Sequence, residues 1–467
     1  MRYISTRGSA PALDFAGVLL AGLANDGGLY VPETWPVFTA ADMRAMRGLP
    51  YADLAAKIMA PFVCDGAVSF NDLQSMCRSA YAGFTHPATA PLIQLEPGLF
   101  ALELFHGPTL AFKDFALQLA GRLFDHVLAA QDRTVTIVGA TSGDTGSAAI
   151  EACRDRARVN IAILHPAGKT SEVQRRQMTT VQAANVCNIA VEGNFDDCQD
   201  LVKAMFADAP FRDEMHLSAV NSINWARIAG QIPYYFAAAL ALGAPDREVS
   251  VSVPTGNFGN VLAAWAAAQM GLPIARFIVG SNRNDILTRF LASNDMTVRG
   301  VAESLSPSMD IQVSSNFERL LFELLGRDAA LTARTMTDFR ASGRMNIADD
   351  VWRRARRQFV GFSLDDAGTL AEIARLYHTS SYLADPHSAV GIAAARAAAP
   401  VGLPVIVAAT AHPAKFPDAM ERAVGFRPGL PEHLKDLYTR EERYSSAAND
   451  LTEIQLLIRR FAARNEV

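Results

Sequence analysis

Thr134-Val135-Thr136-Ile137-Val138, then Gly139-Ala140-Thr141-Ser142-Gly143-Asp144-Thr145-Gly146, then the helical pattern of residues 147–156 and the apolar run Val159-Asn160-Ile161-Ala162-Ile163-Leu164: this order decides the fold. A β-branched run, a Gly/Ser/Thr loop, a helix and a second short apolar run predict successive strands of a parallel sheet joined by helices. The pattern continues with a helix over 171–181, a strand over 186–191 and a helix over 195–207 with Asn194 as its N-cap. Three strands joined by helices make one compact α/β unit. A second begins with a long helix over 224–242, a strand over 249–253, a helix over 260–270 and a strand over 274–279, and it closes late with a buried strand over 405–409. Between them, residues 281–382 carry mostly helical pattern and few strand signals, and their topology is left unassigned. Upstream, residues 15–89 read as helices broken by proline and glycine, with a turn at residues 25–28 before an extended piece at 29–31. The expectation is an α/β protein of two parallel-sheet domains with a mainly helical N-terminal domain. Its boundaries fall at 1–90 for the N-terminal domain, 131–220 for the small α/β domain, and 91–130 with 221–467 for the large domain.

Composition fits that reading. The chain has 467 residues, half of them hydrophobic and 19% charged, which is ample for two or three packed domains. A net charge of -5 and the lack of basic runs with interleaved aromatics give no reason to expect nucleic acid as a partner. The longest apolar stretches, 261–280 and 389–411, are interrupted by Gly271, Pro273 and Arg276, and by Arg396, Pro400 and Pro404, so they read as buried helix–turn–strand units and not as membrane spans. Five cysteines without a C-x-x-C pair, and nine histidines without H-E-x-x-H spacing, indicate neither a disulfide framework nor a metal site. The N-terminus has no continuous apolar core of a signal peptide, and a cytoplasmic location is the default. Whether the chain is a monomer or a homodimer is left open.

The chemistry centres on His106-Gly107-Pro108-Thr109-Leu110-Ala111-Phe112-Lys113-Asp114-Phe115. Gly107 and Pro108 mark a turn, and Phe112, Phe115, Leu119, Leu123 and Val127 form a helical stripe after it, which places Lys113 near a helix N-terminus. Desolvation and the positive end of the helix dipole both disfavour an ammonium there, leaving a neutral amine able to attack a carbonyl. A lone lysine in such a place is more often a solvated charge. Two strand-to-helix loops shift the balance: residues 139–146 and Pro254-Thr255-Gly256-Asn257-Phe258-Gly259-Asn260. Glycines let the backbone approach an anion, and the helix that follows presents free N–H groups. Rival signatures fail. Thr141 and Thr145 stand where a dinucleotide fingerprint needs glycine, Ile163 where a P-loop needs its first glycine, and Ala140 where a serine-hydrolase elbow needs one.

Residues 106–114, 141–147, 220–228, 255–260 and 408–417 together resemble the threonine synthase family, in its longer subgroup with an extra N-terminal domain. The resemblance runs from the N-terminus through the last of these motifs. It implies the fold type II architecture of pyridoxal-phosphate enzymes, shared with tryptophan synthase β, and the conversion of O-phospho-L-homoserine and water into L-threonine and phosphate. It implies that Lys113 holds pyridoxal 5'-phosphate as a Schiff base and moves protons when released. Gly256, Asn257, Phe258, Gly259 and Asn260 match the cofactor-phosphate cradle, and Thr410 the hydroxyl at the pyridine nitrogen. Thr141, Ser142, Gly143, Asp144 and Thr145 match the loop that receives the substrate carboxylate, with the Asp144 side chain expected to face away as a cap. Ser222, Asn224 and Arg227 lie where the substrate phosphate would be clamped, His412 and Lys415 are further candidates for anion contacts, and His387 is expected to be structural. Two alternatives stay open: a related phospho-lyase that releases phosphate and 2-oxobutyrate, and a binding protein that kept the fold without turnover.

Overall fold

The computed structural model of the chain describes residues 1–141, 143–219 and 222–464. Its strands form two main sheets. The larger has six strands in the order Phe359–Ser363, Ile274–Ser281, Val249–Pro254, Val405–Ala409, Leu99–Glu103 and Leu92–Glu96, parallel except for the antiparallel hairpin at the last pair. The smaller has five parallel strands in the order Ser445–Ala447, Val186–Val191, Val159–Pro166, Val135–Ala140 and Leu217–Ser218. Val249–Pro254 and Val405–Ala409 are buried at every residue, as central strands covered by helices on both faces must be. The two-sheet α/β fold with helices at the N-terminus is thus formed as expected, and the helix Phe195–Ala207 starts at Asn194 through a reciprocal capping box with Asp197.

Three features depart from the sequence reading. The helix expected over 224–242 is two helices, Trp225–Ala229 and Ile232–Ala241. It breaks because Pro233 has no N–H to continue the ladder and because the chain there meets another helix: a Cβ on Gly230 would stand 2.9 Å from the Ala116 Cα. The C-terminal residues do not all follow the large sheet, since Ser445–Ala447 extends the small one and the helix Leu451–Ala462 packs beside it against Phe195–Ala207. The N-terminal helices have no core of their own. Tyr3, Trp35 and Phe62 close on Trp225 with ring centroids 5.9, 5.8 and 5.6 Å away, joining one apolar cluster with the large domain.

The topology fixes where a ligand can go. From Val249–Pro254 the chain passes through the helix Gly259–Gln269 to Ile274–Ser281 on one side, while Val405–Ala409 pairs on the other. Connections therefore diverge outside the carboxyl ends of Val249–Pro254 and Val405–Ala409, the crevice in which open α/β sheets bind ligands. Residues 255–260 and Thr410 occupy that crevice. Among the described residues no helix is long and apolar enough to cross a membrane, and no cluster of side chains could hold a metal ion.

Candidate active site

The segment before Lys113 is zipped to the chain leaving Val405–Ala409. The Phe112 N–H donates to the Thr410 carbonyl at 2.9 Å and the His412 N–H to the Leu110 carbonyl at 3.1 Å. Asp114 closes the turn by accepting the Thr109 N–H at 2.8 Å and the Thr109 hydroxyl at 2.6 Å. Gly107 is required by that closure, because a Cβ there would stand 2.5 Å from Asp114 Oδ2. Burial pushes the Asp114 carboxyl up to about 6, against the bonds from Thr109. Lys113 becomes the first residue of the helix Lys113–Ala130, whose expected stripe of Phe115, Leu119, Leu123 and Val127 is buried. The lysine itself is only 9% exposed.

Its amine meets the small domain. Lys113 Nζ donates to Asp144 Oδ2 at 3.2 Å, and the other carboxylate oxygen accepts Lys415 Nζ at 2.6 Å and Gln174 Nε2 at 2.8 Å. Burial lowers the Lys113 ammonium below the ordinary lysine range; the attraction of Asp144 offsets this in part, and Lys415 and Arg227 add to the lowering. Burial also opposes ionisation of Asp144, yet the two lysines and their hydrogen bonds outweigh it and hold the carboxyl well below the usual range. Asp144 opens the helix Asp144–Cys153, so the dipole there favours its negative charge as well.

The opposite wall of the same cavity is the loop 255–260. Phe258 takes a left-handed conformation, φ 63°, which turns the chain into the helix Gly259–Gln269, whose first residues Gly259 and Asn260 line the cavity. The loop is braced from behind: Ser314 donates to the Gly256 carbonyl at 2.7 Å, and Asn316 gives its backbone N–H and its side-chain amide to the Asn257 carbonyl, both at 3.0 Å. A Cβ on Gly256 would stand 2.5 Å from the Ser308 carbonyl oxygen, so the backbone lies as close to its neighbour as the chain permits. Several buried polar atoms lining this cavity are left without a hydrogen-bond partner: Thr255 Oγ1, Asn260 Nδ2, and Nε and Nη1 of Arg227. Burial alone brings the Arg227 guanidinium down to about 10. Buried donors without a partner in the protein are costly, and they mark a place suited to binding an acceptor.

The sequence matches known families over nearly its full length. Residues 2–81 match the family described as threonine synthase N terminus, 85–345 the family of pyridoxal-phosphate dependent enzymes, and 388–458 the family described as threonine synthase, C-terminal. The threonine synthase of Pseudomonas aeruginosa is 54% identical over 468 residues, covering all of both chains. The chain belongs to the threonine synthase family. Among solved structures, a pyridoxal-phosphate-bound threonine synthase from Brucella melitensis aligns with a TM-score of 0.97 at 51% identity over 99% of each chain, and that from yeast with 0.94 at 38% identity over 99% of each. The chain is therefore a pyridoxal-phosphate dependent enzyme with the fold of that family.

Lys113, Gly256, Asn257, Phe258, Gly259, Asn260, Thr410, Thr145, Ser222 and Arg227 line one cavity. Thr141 is not among the residues lining it; its hydroxyl oxygen accepts the Gly143 and Gly146 N–H groups at 3.0 and 2.9 Å. Gly143 has a φ of 153° and a Cβ there would meet the Gln174 side chain at 2.5 Å, so glycine is obligatory. Ser142 lies outside the described residues. Asn224 is turned elsewhere: it caps the helix Trp225–Ala229 through the Ala226 N–H at 3.0 Å and donates to the Leu19 carbonyl at 2.9 Å. Asp144 does not face away as a cap. It points inward because two buried ammonium groups are there to meet it.

His412 caps the turn Pro413–Lys415 by accepting the Ala414 N–H at 3.2 Å, and burial pushes its imidazole down to about 4. His387 bonds Asp385 at 2.9 Å and accepts the Ser308 N–H at 3.3 Å, yet its ring also lines the cavity. The sequence reading missed Gln231, Ser308 and Met309 in the wall, and the Tyr234 and Tyr235 hydroxyls that grip Asn260 Oδ1. Pro233-Tyr234-Tyr235-Phe236 reads only as apolar helix, and the short turn Pro307–Met309 carries no periodic signal. Gly256→Ala is expected to cost about 1–3 kcal/mol of stability, since the added methyl must displace backbone, and to weaken retention of the cofactor. Thermal unfolding and the visible spectrum of the purified variant check both.

Proposed function

We propose that this chain converts O-phospho-L-homoserine and water into L-threonine and phosphate, with Lys113 as the cofactor lysine and the base. The observation that carries the reading is the meeting, in one cavity, of a buried amine at Lys113, the glycine loop 255–260 and the unpartnered guanidinium nitrogens of Arg227. The residues fit pyridoxal phosphate: the Gly256, Asn257, Phe258, Gly259 and Asn260 backbone leads into a helix N-terminus suited to a phosphate, the unpartnered Thr255 hydroxyl and Asn260 amide lie beside it, and Thr410 supplies a neutral hydroxyl for the pyridine nitrogen. Bound there, the cofactor supplies an electron sink that stabilises negative charge on an amino-acid substrate at the carbons next to the amine.

The chain's own groups do the rest. Lys113, its ammonium form disfavoured by burial, takes and returns protons at the α, β and γ carbons in turn. Arg227 and Ser222 hold the substrate phosphate and stabilise the charge that gathers on it as the γ carbon–oxygen bond breaks. The loop at 141–145 receives the substrate carboxylate through backbone N–H groups and the Thr145 hydroxyl, while Asp144, paired with Lys415, does not repel it. Water then adds at the β carbon, and closing the small domain over the substrate keeps bulk solvent from diverting the chemistry to a keto acid.

Incubating the purified protein with O-phospho-L-homoserine and following phosphate and threonine together tests the reading. Equimolar threonine and phosphate are expected; phosphate accompanied by 2-oxobutyrate instead of threonine would make the chain a phospho-lyase.

A further inference from the structure

A buried carboxylate is costly to leave uncompensated, often by several kcal/mol. Asp144 is buried, and one of its cationic partners, Lys113, is the group that must leave it to do chemistry. The second partner is Lys415. Its side chain is 0% exposed, its ammonium sits 2.6 Å from Asp144 Oδ1, and it also donates to the Thr109 carbonyl at 2.8 Å, in the turn that sets Lys113. Gln174 holds the same carboxylate oxygen at 2.8 Å. The arrangement is asymmetric: the shorter ion pair is with Lys415, and the longer with the lysine that reacts.

We propose that Lys415 is a positioning residue: by serving as the standing counter-ion of Asp144, it frees Lys113 to exchange its bond to that carboxylate for a bond to the cofactor or substrate. Asp144 belongs to the small domain, while Lys113 and Lys415 are held by the large one, so the same pair keeps the start of the helix Asp144–Cys153 docked while Lys113 moves. The inference rests on the reading that Lys113 carries the cofactor. The charged groups facing the Lys113 amine are Asp144 on the helix Asp144–Cys153, Lys415 on the turn Pro413–Lys415 and Arg227 on the helix Trp225–Ala229. His387 lines the same cavity with its ring bonded to Asp385 and Ser308, and Asp114 on the lysine's own helix is tied to Thr109. Without Lys415, Asp144 has Lys113 as its sole cation, and the amine holds its proton to higher pH.

The experiment follows capture of pyridoxal phosphate, by its visible absorption band, across a pH series with the full-length protein freed of cofactor. For Lys415→Met the midpoint of capture is expected to move about one pH unit or more to the alkaline side. Lys415→Arg, which keeps the charge, is expected to stay within about half a unit of wild type. A folded Lys415→Met protein with the wild-type midpoint overturns the proposal. If Lys415→Met does not fold, the double variant Asp144→Asn with Lys415→Met decides: recovery of the fold once both charges are gone is the compensation asserted, and failure to recover overturns it. Absence of capture by the wild-type protein would instead sink the assignment of Lys113 as the cofactor lysine, whatever Lys415 does.

Discussion

Lys113→Ala is expected to lower phosphate release from O-phospho-L-homoserine by three orders of magnitude or more and to remove the visible band of lysine-bound cofactor. The size follows from the number of duties lost at once. A nucleophile and a general acid–base are the same amine here, and general acid–base assistance alone is worth roughly 10²–10⁴ in rate. Lys113→Arg should be as inactive, because a guanidinium cannot give a neutral amine. Stability should change much less. The lysine is buried, not solvent-tipped, so its removal leaves a small void and ends the contact with the Phe112 ring, 5.1 Å from the ammonium. It also relieves a desolvated charge, and Asp144 keeps Lys415 and Gln174. These effects oppose one another, and a net loss below about 2 kcal/mol is expected. Turnover by Lys113→Ala within tenfold of wild type, in protein shown to be folded by denaturant unfolding, would end the assignment.

How far the chain could be read beforehand depends on how local the signal is. Val405–Ala409 is legible because a strand buried on both faces is a short unbroken apolar run, Val186–Val191 because only Asn188 interrupts such a run, and Phe195–Ala207 because Asn194 and Asp197 cap it within four residues. Leu99–Glu103, an inner strand, was missed together with its hairpin partner, and the strands Leu92–Glu96 and Phe359–Ser363 escaped notice because they lie at sheet edges, only partly buried, where sequence pattern is weak. Gly361 in the latter reads as a strand breaker, but it is there because a Cβ would stand 2.7 Å from the Thr288 Cα. The break at Gly230 has the same cause, the approach of a helix that is distant in sequence.

The site divides along the same line. Lys113 and the two glycine loops announce themselves through local chemistry and through the family resemblance. The direction of the Asp144 side chain does not, because it is set by Lys415, which the fold brings from far along the chain. Asn224 shows the converse: its neighbours in sequence suggest a phosphate clamp, while the Ala226 N–H and the Leu19 carbonyl claim its side chain.

Arg227→Met is expected to move catalysis and stability in opposite directions. In the wild-type chain two guanidinium nitrogens are buried without partners, and burial alone depresses the group to about 10. A methionine of similar length has no charge to desolvate, and replacing a buried ion by an apolar side chain of similar volume often stabilises a fold by about 1–4 kcal/mol. The melting temperature of the cofactor-loaded protein should therefore rise. The same change removes a charge-assisted, fork-shaped partner for the phosphate ester, whose hydrogen bonds are worth roughly 1.5–3 kcal/mol each. Losing two corresponds to a fall in kcat/KM of about a hundredfold or more. Inorganic phosphate supplies the link between the two effects, since it should raise the melting temperature of the wild-type protein by occupying the clamp and leave Arg227→Met unmoved. A variant that is more stable and equally active would mean that Arg227 has another partner in the working enzyme. A variant less stable than wild type would mean that its guanidinium is already paired in the resting fold. Only the opposed pair of changes, stability up and turnover down, identifies a residue whose cost to the fold is offset when a phosphate arrives.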